Sequence, residues 1–387
     1  MKNSSKKMNK SIIIFKKLNN LMKKEWFIIL LLLIITRFFL ILAGDLAYTW
    51  IEENPEDLPK QEFSDNKFLA MWYRWDAAAY YHLSTEGYTN HKDWMLSEYA
   101  FFPLLPLIVG FLSKITGEVL ITGLLFSNLM LFLSLIMLLK LLKQKFSDEL
   151  SNRAILFVLI FPSTLFLSLL YTESLFIFLT VSGFYALTKN KFMIAGICGA
   201  LLSATRPVGI FFFIGALVYY WYNNKKEWKS LNWLWLFLSP LGLFLYMFYL
   251  KIIAGSSTAF LFAQENFRRN ISIGTYDHFI SVLRLFTDFS LGNFVNMSFF
   301  MLAVISLIWC WKYWDKGLAI FGLLCIAAPL MTATLYSMNR FVLTVIPIYV
   351  FLAWLGNNKL VEKSIIIGGS VLMAIWTALF VNWYWIA

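Results

Sequence analysis

Three cysteines and three histidines among 387 residues leave little material for a metal centre or a disulfide framework. Cys198, Cys310 and Cys325 all lie in apolar runs with no ligand spacing between them, so they read as small buried hydrophobes. His82, His91 and His278 show no His-x-x-x-His spacing, and zinc is left without a ligand set. Charge is scarce too: Asp, Glu, Lys and Arg make up 14% of the chain, against about 25% in a soluble domain. There is no phosphate-binding glycine loop, no GxGxxG opening a strand–helix unit and no nucleophile elbow, so nothing supports an ATP or nucleotide-sugar site. No internal repeat is visible either.

What the chain has instead is apolar and aromatic mass, 60% hydrophobic and 19% aromatic residues. Apolar runs recur from Trp26 to Ala387, and several approach the ~20 residues that cross a bilayer as helix. They are continuous rather than alternating, which argues against a β-barrel. The fold expected is an all-α polytopic membrane protein: a basic head, 1–25, followed by one integral domain, 26–387. The first span is not expected to be a cleaved signal, because it is about 19 residues long and lacks a small-residue cleavage pattern.

The net charge of +11 does not point to nucleic acid, because of where the charge lies. Eight lysines precede Trp26, and others fall in short loops: Lys140, Lys143, Lys145 and Arg153; Lys189 and Lys191; Lys225, Lys226 and Lys229; Lys312, Lys316, Lys359 and Lys363. Basic residues in short loops mark the cytoplasmic side. The N-terminus is therefore expected inside, with the head near anionic lipid.

About eleven spans follow: Trp26–Gly44, Glu118–Leu139, Ala154–Leu170, Ser174–Leu187, Phe192–Thr205, Val208–Tyr222, Leu231–Ile253, Phe294–Trp311, Gly317–Thr334, Phe341–Leu355 and Ser364–Ile386. Outer loops are expected at Asp45–Tyr99 and Ala254–Gly292, the second carrying Arg268, Arg269, Asp277, His278 and Arg284. Phe101–Leu112, with Pro103 and Pro106, is too short to span and reads as a half-inserted or re-entrant segment. Within the first outer loop, Lys67–Gly87 reads as one interfacial helix, with an apolar stripe of Phe68, Trp72, Trp75, Ala79 and Leu83 at helical spacing.

Charges at the short hairpin tips carry the chemistry. Phe192–Thr205 covers about 21 Å at ~1.5 Å per residue, less than the ~30 Å hydrocarbon core. Glu173, Arg206 and Arg340 are then held at or below the outer headgroups, where charges face a cavity or a partner. Asp76 lies above them in the loop, with Arg74 as its nearest cation in sequence. A carboxylate over cations suits a lipid phosphate beside an acceptor hydroxyl. Each residue also has a plain structural role open to it: helix-start carboxylate for Glu173, snorkelling cation for Arg206 and Arg340, interface residue for His82.

Arg74-Trp-Asp76, Glu86-Gly-Tyr88 and Tyr99-Ala-Phe-Phe-Pro-Leu-Leu-Pro106 together resemble the first outer-loop signature of the PIG-V family, the second mannosyltransferases of GPI-anchor assembly and their bacterial relatives. Phe161-Pro-Ser-Thr164 with Tyr171-Thr-Glu173-Ser-Leu-Phe176 resembles a second block. Ala204-Thr-Arg206-Pro-Val-Gly209 resembles a third, and Asn339-Arg340-Phe341 with Pro347 a weaker fourth. In the first block Ala79 and Tyr80 stand where the family often has His or Trp. The resemblance implies a GT-C glycosyltransferase that uses a polyprenyl-phosphate sugar donor, most readily mannose, at the outer leaflet, and an essential aspartate, Asp76.

On that basis Asp76 is expected to act as general base, Arg206 and Arg340 to bind the donor phosphate, and Trp75, His82, Glu173 and Tyr99 to bind sugar or acceptor. The partners are the lipid-linked donor, a glycan or glycolipid acceptor and membrane lipid, with no nucleic acid. No cofactor is expected and a metal is not obligatory, since the phosphate leaves attached to lipid. Lysine-rich loops favour a bacterial plasma membrane over the endoplasmic reticulum. Two other classes stay open on sequence: a transporter or flippase of lipid-linked glycans, and a glycan polymerase or ligase.

Overall fold

A computed structural model of the protein describes residues 24–56, 66–88, 98–223, 231–264, 287, 290–331 and 334–386. The lysine-rich head up to residue 23, His91, Lys225, Lys226, Lys229 and the charged residues Arg268 to Arg284 of the second loop lie outside the described residues. Every regular element among the described residues is helical. Counting helices of nine residues or more, these are α1 (Glu25–Trp50), α2 (Asp76–Thr85), α3 (Leu104–Thr116), α4 (Val119–Leu142), α5 (Asp148–Leu159), α6 (Glu173–Thr188) and α7 (Phe192–Thr205). They continue with α8 (Phe212–Asn223), α9 (Leu241–Ile253), α10 (Leu291–Tyr313), α11 (Lys316–Leu330), α12 (Pro347–Leu355) and α13 (Lys359–Val381).

Among the described residues five stretches are long and apolar enough to cross a membrane: Glu25–Trp50, Val119–Leu142, Asn232–Ile253, Leu291–Tyr313 and Lys359–Val381. A sixth is broken, with Met338–Thr344 and Pro347–Leu355 meeting at 88°. The remaining apolar helices, α3, α6, α7, α8 with its leading turn, and α11, are shorter. The protein is thus a polytopic helical membrane protein by length and composition. Helix α1 shows the lipid-facing pattern in one element: Ile29, Leu33 and Leu40 are buried while Phe38 is 65% exposed.

Both ends of the bundle carry charge, and they are far apart. At one end Lys143 pairs with Glu25 and Asp148, and Arg153 with Glu149 and Glu362. At the other, α1 ends at Trp50 and the chain beyond it meets residues just past α13, where Asn54 N–H donates to Asn382 O at 2.9 Å. Helix α1 has 26 residues, so these ends are separated by about 39 Å at ~1.5 Å per residue. Residues 140–153 and 359–362 therefore share one end, and the Asp76 loop occupies the other.

Four expected boundaries are corrected. The first span does not stop at Gly44; α1 runs on to Trp50, and Gly44 is small because a Cβ there would lie 3.2 Å from the Trp72 ring. The Ala154–Leu170 span is interrupted: α5 ends at Leu159 and a 3-10 turn forms at Thr164–Leu167. Arg37, in mid-α1, satisfies that break, donating to Leu159 O at 3.1 Å, Thr164 O at 3.2 Å and the Ser168 hydroxyl at 2.8 Å. The Lys67–Gly87 helix is two pieces, a turn at Lys67–Ala70 and α2, divided at Trp75, whose φ is 55°. The last helix ends at Val381 rather than Ile386, and residues 382–386 fold onto the first loop.

Candidate active site

The break at Trp75 is what presents Asp76. Arg74 is buried and turns away from it, donating to Ala70 O at 2.6 Å, to Val381 O at 3.1 Å and to Glu53 at 3.4 Å, with its guanidinium 4.4 Å from the Trp383 ring centre. These bonds stop the Lys67–Ala70 turn from continuing. The chain restarts as helix with Asp76 at the first position of α2, where the unpaired N–H groups of the first turn favour a negative charge. Arg74 is therefore not the partner of Asp76. The Tyr171 hydroxyl holds the corner from below, donating to Arg74 O at 3.1 Å.

Glu173 is placed by the same logic, as the first residue of α6, and it is fully buried. Arg206 follows α7 in extended conformation, ahead of the Pro207–Phe211 turn. That turn folds back so tightly that a Cβ on Gly209 would sit 2.1 Å from Leu202 O, so only glycine fits. Arg340 lies in the short helix Met338–Phe341, entered through Ser337 at φ 69°.

Four elements distant in sequence thus converge on one ion network. Arg340 Nη1 donates to Asp76 Oδ2 at 2.5 Å and its Nε to Glu173 Oε1 at 2.6 Å. Arg206 Nη2 donates to the same Glu173 oxygen at 3.0 Å. The Arg340 guanidinium lies 4.4 Å from the Tyr171 ring centre, and that of Arg206 5.7 Å from Phe341. Two carboxylates balance two guanidiniums, which is the condition for keeping such charges out of water. Glu173 Oε2 is buried and has no hydrogen-bond partner among the described residues. Among the described residues the second oxygen of Asp76 has no partner either, and this side chain is the most open of the four, 19% exposed against 13% for Arg206, 7% for Arg340 and none for Glu173.

Tyr80 joins the same group. It is one turn beyond Asp76 on α2, so it shares the face of Asp76. Burial pushes its phenol well above the ordinary range; Asp76 adds to this, and Arg206 and Arg340 act against it. Sequence reasoning passed over Tyr80 as a site residue, although the spacing of four residues was the available signal.

The other residues named from sequence are not all brought here. His82 lies six positions beyond Asp76, about 240° round the helix, and faces Glu86 at 3.6 Å with its side chain 47% exposed. Tyr99 is buried in a separate cluster with Phe102, Tyr246 and Phe260, stacked 6.3 Å from Tyr88, and its carbonyl accepts from Tyr246 at 2.9 Å. Trp75 borders the network through Asp76 and packs edge-on to Trp385 and Trp383. Among the described residues no three His, Cys, Asp or Glu side chains form a group suited to a metal ion.

Comparison with known proteins bears on this geometry. Residues 27–213 match the model of the family described as Mannosyltransferase (PIG-V). The chain is 27% identical over 179 residues to a protein of Schizosaccharomyces pombe, GPI mannosyltransferase 2. That alignment takes in 45% of this chain and 37% of the yeast protein, so the chain spans well under half the length of this curated relative. The matched segment contains Asp76, Glu173 and Arg206; Arg340 lies beyond it.

Proposed function

We propose, from the place of residues 27–213 in the PIG-V mannosyltransferase family, that this protein is a membrane glycosyltransferase that moves mannose from a polyprenyl-phosphate donor to a glycan or glycolipid acceptor with inversion. The observation that carries the reading is the Asp76–Arg340–Glu173–Arg206 network, whose most open member is a carboxylate with one oxygen unpartnered among the described residues.

The chemistry follows from the charges. The acceptor hydroxyl gives its proton to the open oxygen of Asp76 and its oxygen attacks the anomeric carbon. The bond from that carbon to the phosphate oxygen breaks, and the electron pair leaves with the lipid phosphate. Asp76 loses a negative charge in the step in which the phosphate gains one. Arg340, bonded to Asp76 at the start, is then released to face the phosphate, so a single guanidinium compensates both changes. Glu173 is buried and touches neither reactant; it holds Arg340 and Arg206 in position. Phosphate departs on lipid, so the scheme needs no metal. The network lies at the bundle end opposite the Lys143–Arg153 cluster, and with that cluster in the cytoplasm the site opens on the outer face of the membrane.

The test is Asp76→Asn assayed with synthetic polyprenyl-phosphate mannose. General-base catalysis contributes about 10²–10⁴-fold. The variant is expected to insert and fold normally and to lose transfer by at least about 100-fold. Activity above a tenth of wild type removes Asp76 from the role.

A further inference from the structure

Residues 382–386 have no part in the chemistry above, yet they are tied to both halves of its central ion pair. The residue preceding Asp76 is Trp75, whose ring lies 4.6 Å from that of Trp385 at 80°. The residue preceding Arg340 is Asn339, whose side-chain amide donates to Ile386 O. Trp385 stacks in turn on Tyr336, 5.4 Å away and nearly parallel at 9°, and Tyr336 is 46% exposed. Trp383 and Asn382 anchor the segment to the first loop through Arg74 and Asn54.

This aromatic wall has unmet polar groups built into it. Trp75 Nε1, Trp385 Nε1 and Asn339 Oδ1 are buried and have no hydrogen-bond partner among the described residues. Leaving a buried polar group unsatisfied costs about 1–3 kcal/mol, and Asn382 Oδ1, in the same segment, is a fourth such group among the described residues. Trp75 also sits at a positive φ that a bulky residue adopts only where its surroundings enforce it. Two indole N–H donors and an amide acceptor, set among flat aromatic surfaces and carrying no charge, match a neutral ring with C–H bonds on its faces and hydroxyls round its edge. A pyranose is that ring. The charged groups that would serve its phosphate and the acceptor proton, Arg340 and Asp76, are the adjoining residues in sequence.

We infer that Trp75, Trp385, Tyr336 and Asn339 form the subsite that holds the donor's sugar ring, with Trp385 as the residue that discriminates sugar-bearing from bare lipid phosphate. The inference rests on the proposed function. It also places sugar recognition partly beyond residues 27–213, the segment shared with the family.

The experiment compares two ligands on the purified full-length protein in nanodiscs: a ten-carbon prenyl phosphate, and the same lipid phosphate carrying mannose. The wild type should bind the mannosylated ligand about 10-fold or more tighter, a gain equal to one or two hydrogen bonds plus ring stacking. Trp385→Leu should remove most of that gain and leave bare prenyl-phosphate affinity unchanged. Trp385→Phe keeps a stacking surface and loses the N–H, and it should retain an intermediate gain, which keeps the test decisive should the leucine variant fail to fold. Equal affinity of wild type for both ligands overturns the subsite, as does an equal loss for both ligands in Trp385→Phe. Binding of neither ligand, with no transfer from the mannosylated one, overturns the proposed function itself.

Discussion

Glu173→Gln is the sharpest probe of the ion network, because it alters one charge and almost no volume. In the wild type Glu173 Oε1 accepts from Arg340 at 2.6 Å and Arg206 at 3.0 Å, with no solvent access. The amide can still accept through its oxygen, but the four side chains then carry a net +1 in place of zero. Two unit charges about 4 Å apart interact by about 4 kcal/mol at the effective dielectric of 20 that suits such sites, and breaking a buried pair from one side costs about 3–5 kcal/mol. A loss of about 3 kcal/mol of stability is therefore expected, measured by thermal unfolding of the detergent-solubilised protein. Glu173→Gln combined with Arg206→Gln restores neutrality and should recover part of the loss, with a coupling of about 1–3 kcal/mol between the two sites. Asp76→Asn, at the most open member, should cost less stability than Glu173→Gln and far more activity. An unchanged unfolding temperature in Glu173→Gln, or strict additivity in the double variant, would refute the view of these residues as one electrostatic unit.

Arg206→Ala should weaken use of the lipid-phosphate donor by about 10-fold in kcat/KM, and Arg206→Lys should restore only part, since a point charge replaces a fork; unchanged kinetics per mole of folded enzyme would retire that contact. Arg37→Leu strands the carbonyls of Leu159 and Thr164 and should destabilise by about 2–4 kcal/mol, from the cost of unsatisfied buried acceptors; wild-type thermal stability in this variant contradicts the assignment. Asp315 caps α11 by accepting from Leu318 N at 2.7 Å, and burial pushes its carboxyl up from 3.8 to about 6. A raised folded-state pKa means that the folded protein binds the extra proton, so stability falls as pH rises from about 4 through about 6. Asp315→Asn keeps the cap and should remove that dependence, gaining about 3 kcal/mol at pH 7 and well under 1 kcal/mol at pH 4; a parallel pH profile in variant and wild type counts against it. On intact cells an impermeant thiol reagent should label Glu56→Cys and leave Asp148→Cys untouched, the native cysteines being buried; the opposite pattern would put Asp76 on the cytoplasmic side.

Membrane class and all-helical architecture were legible in the linear chain, because lipid demands long apolar runs and runs are a local property; of the eleven spans expected, five described helices, with a sixth bent pair, are long and apolar enough to cross. The charged hairpin tips were legible for a related reason. Glu173, Arg206 and Arg340 interrupt apolar sequence, and a charge in such a setting needs a partner or a cavity. Which partner was not legible. Arg74, two residues from Asp76, takes backbone carbonyls and Glu53, while Arg340, 264 residues away, takes Asp76. Hydrophobic periodicity says which face of a helix is buried and nothing about what another helix presents to it, so the pairing waits on packing. The break at Trp75 shows the same limit: its stripe has sound helical spacing, and the helix is divided by bonds from Arg74 to Ala70 and Val381, the second contact long-range. Residues 382–386 read as the end of an apolar span and instead fold over the first loop, because α13 ends at Val381 and the carbonyls of Asn382, Trp383 and Ile386 beyond it find donors in Asn54 and Asn339. The residue types, charges set within apolar sequence, came from local composition. The arrangement that makes a site of them is tertiary, because an ion pair between distant segments forms only where packing brings both charges out of water together.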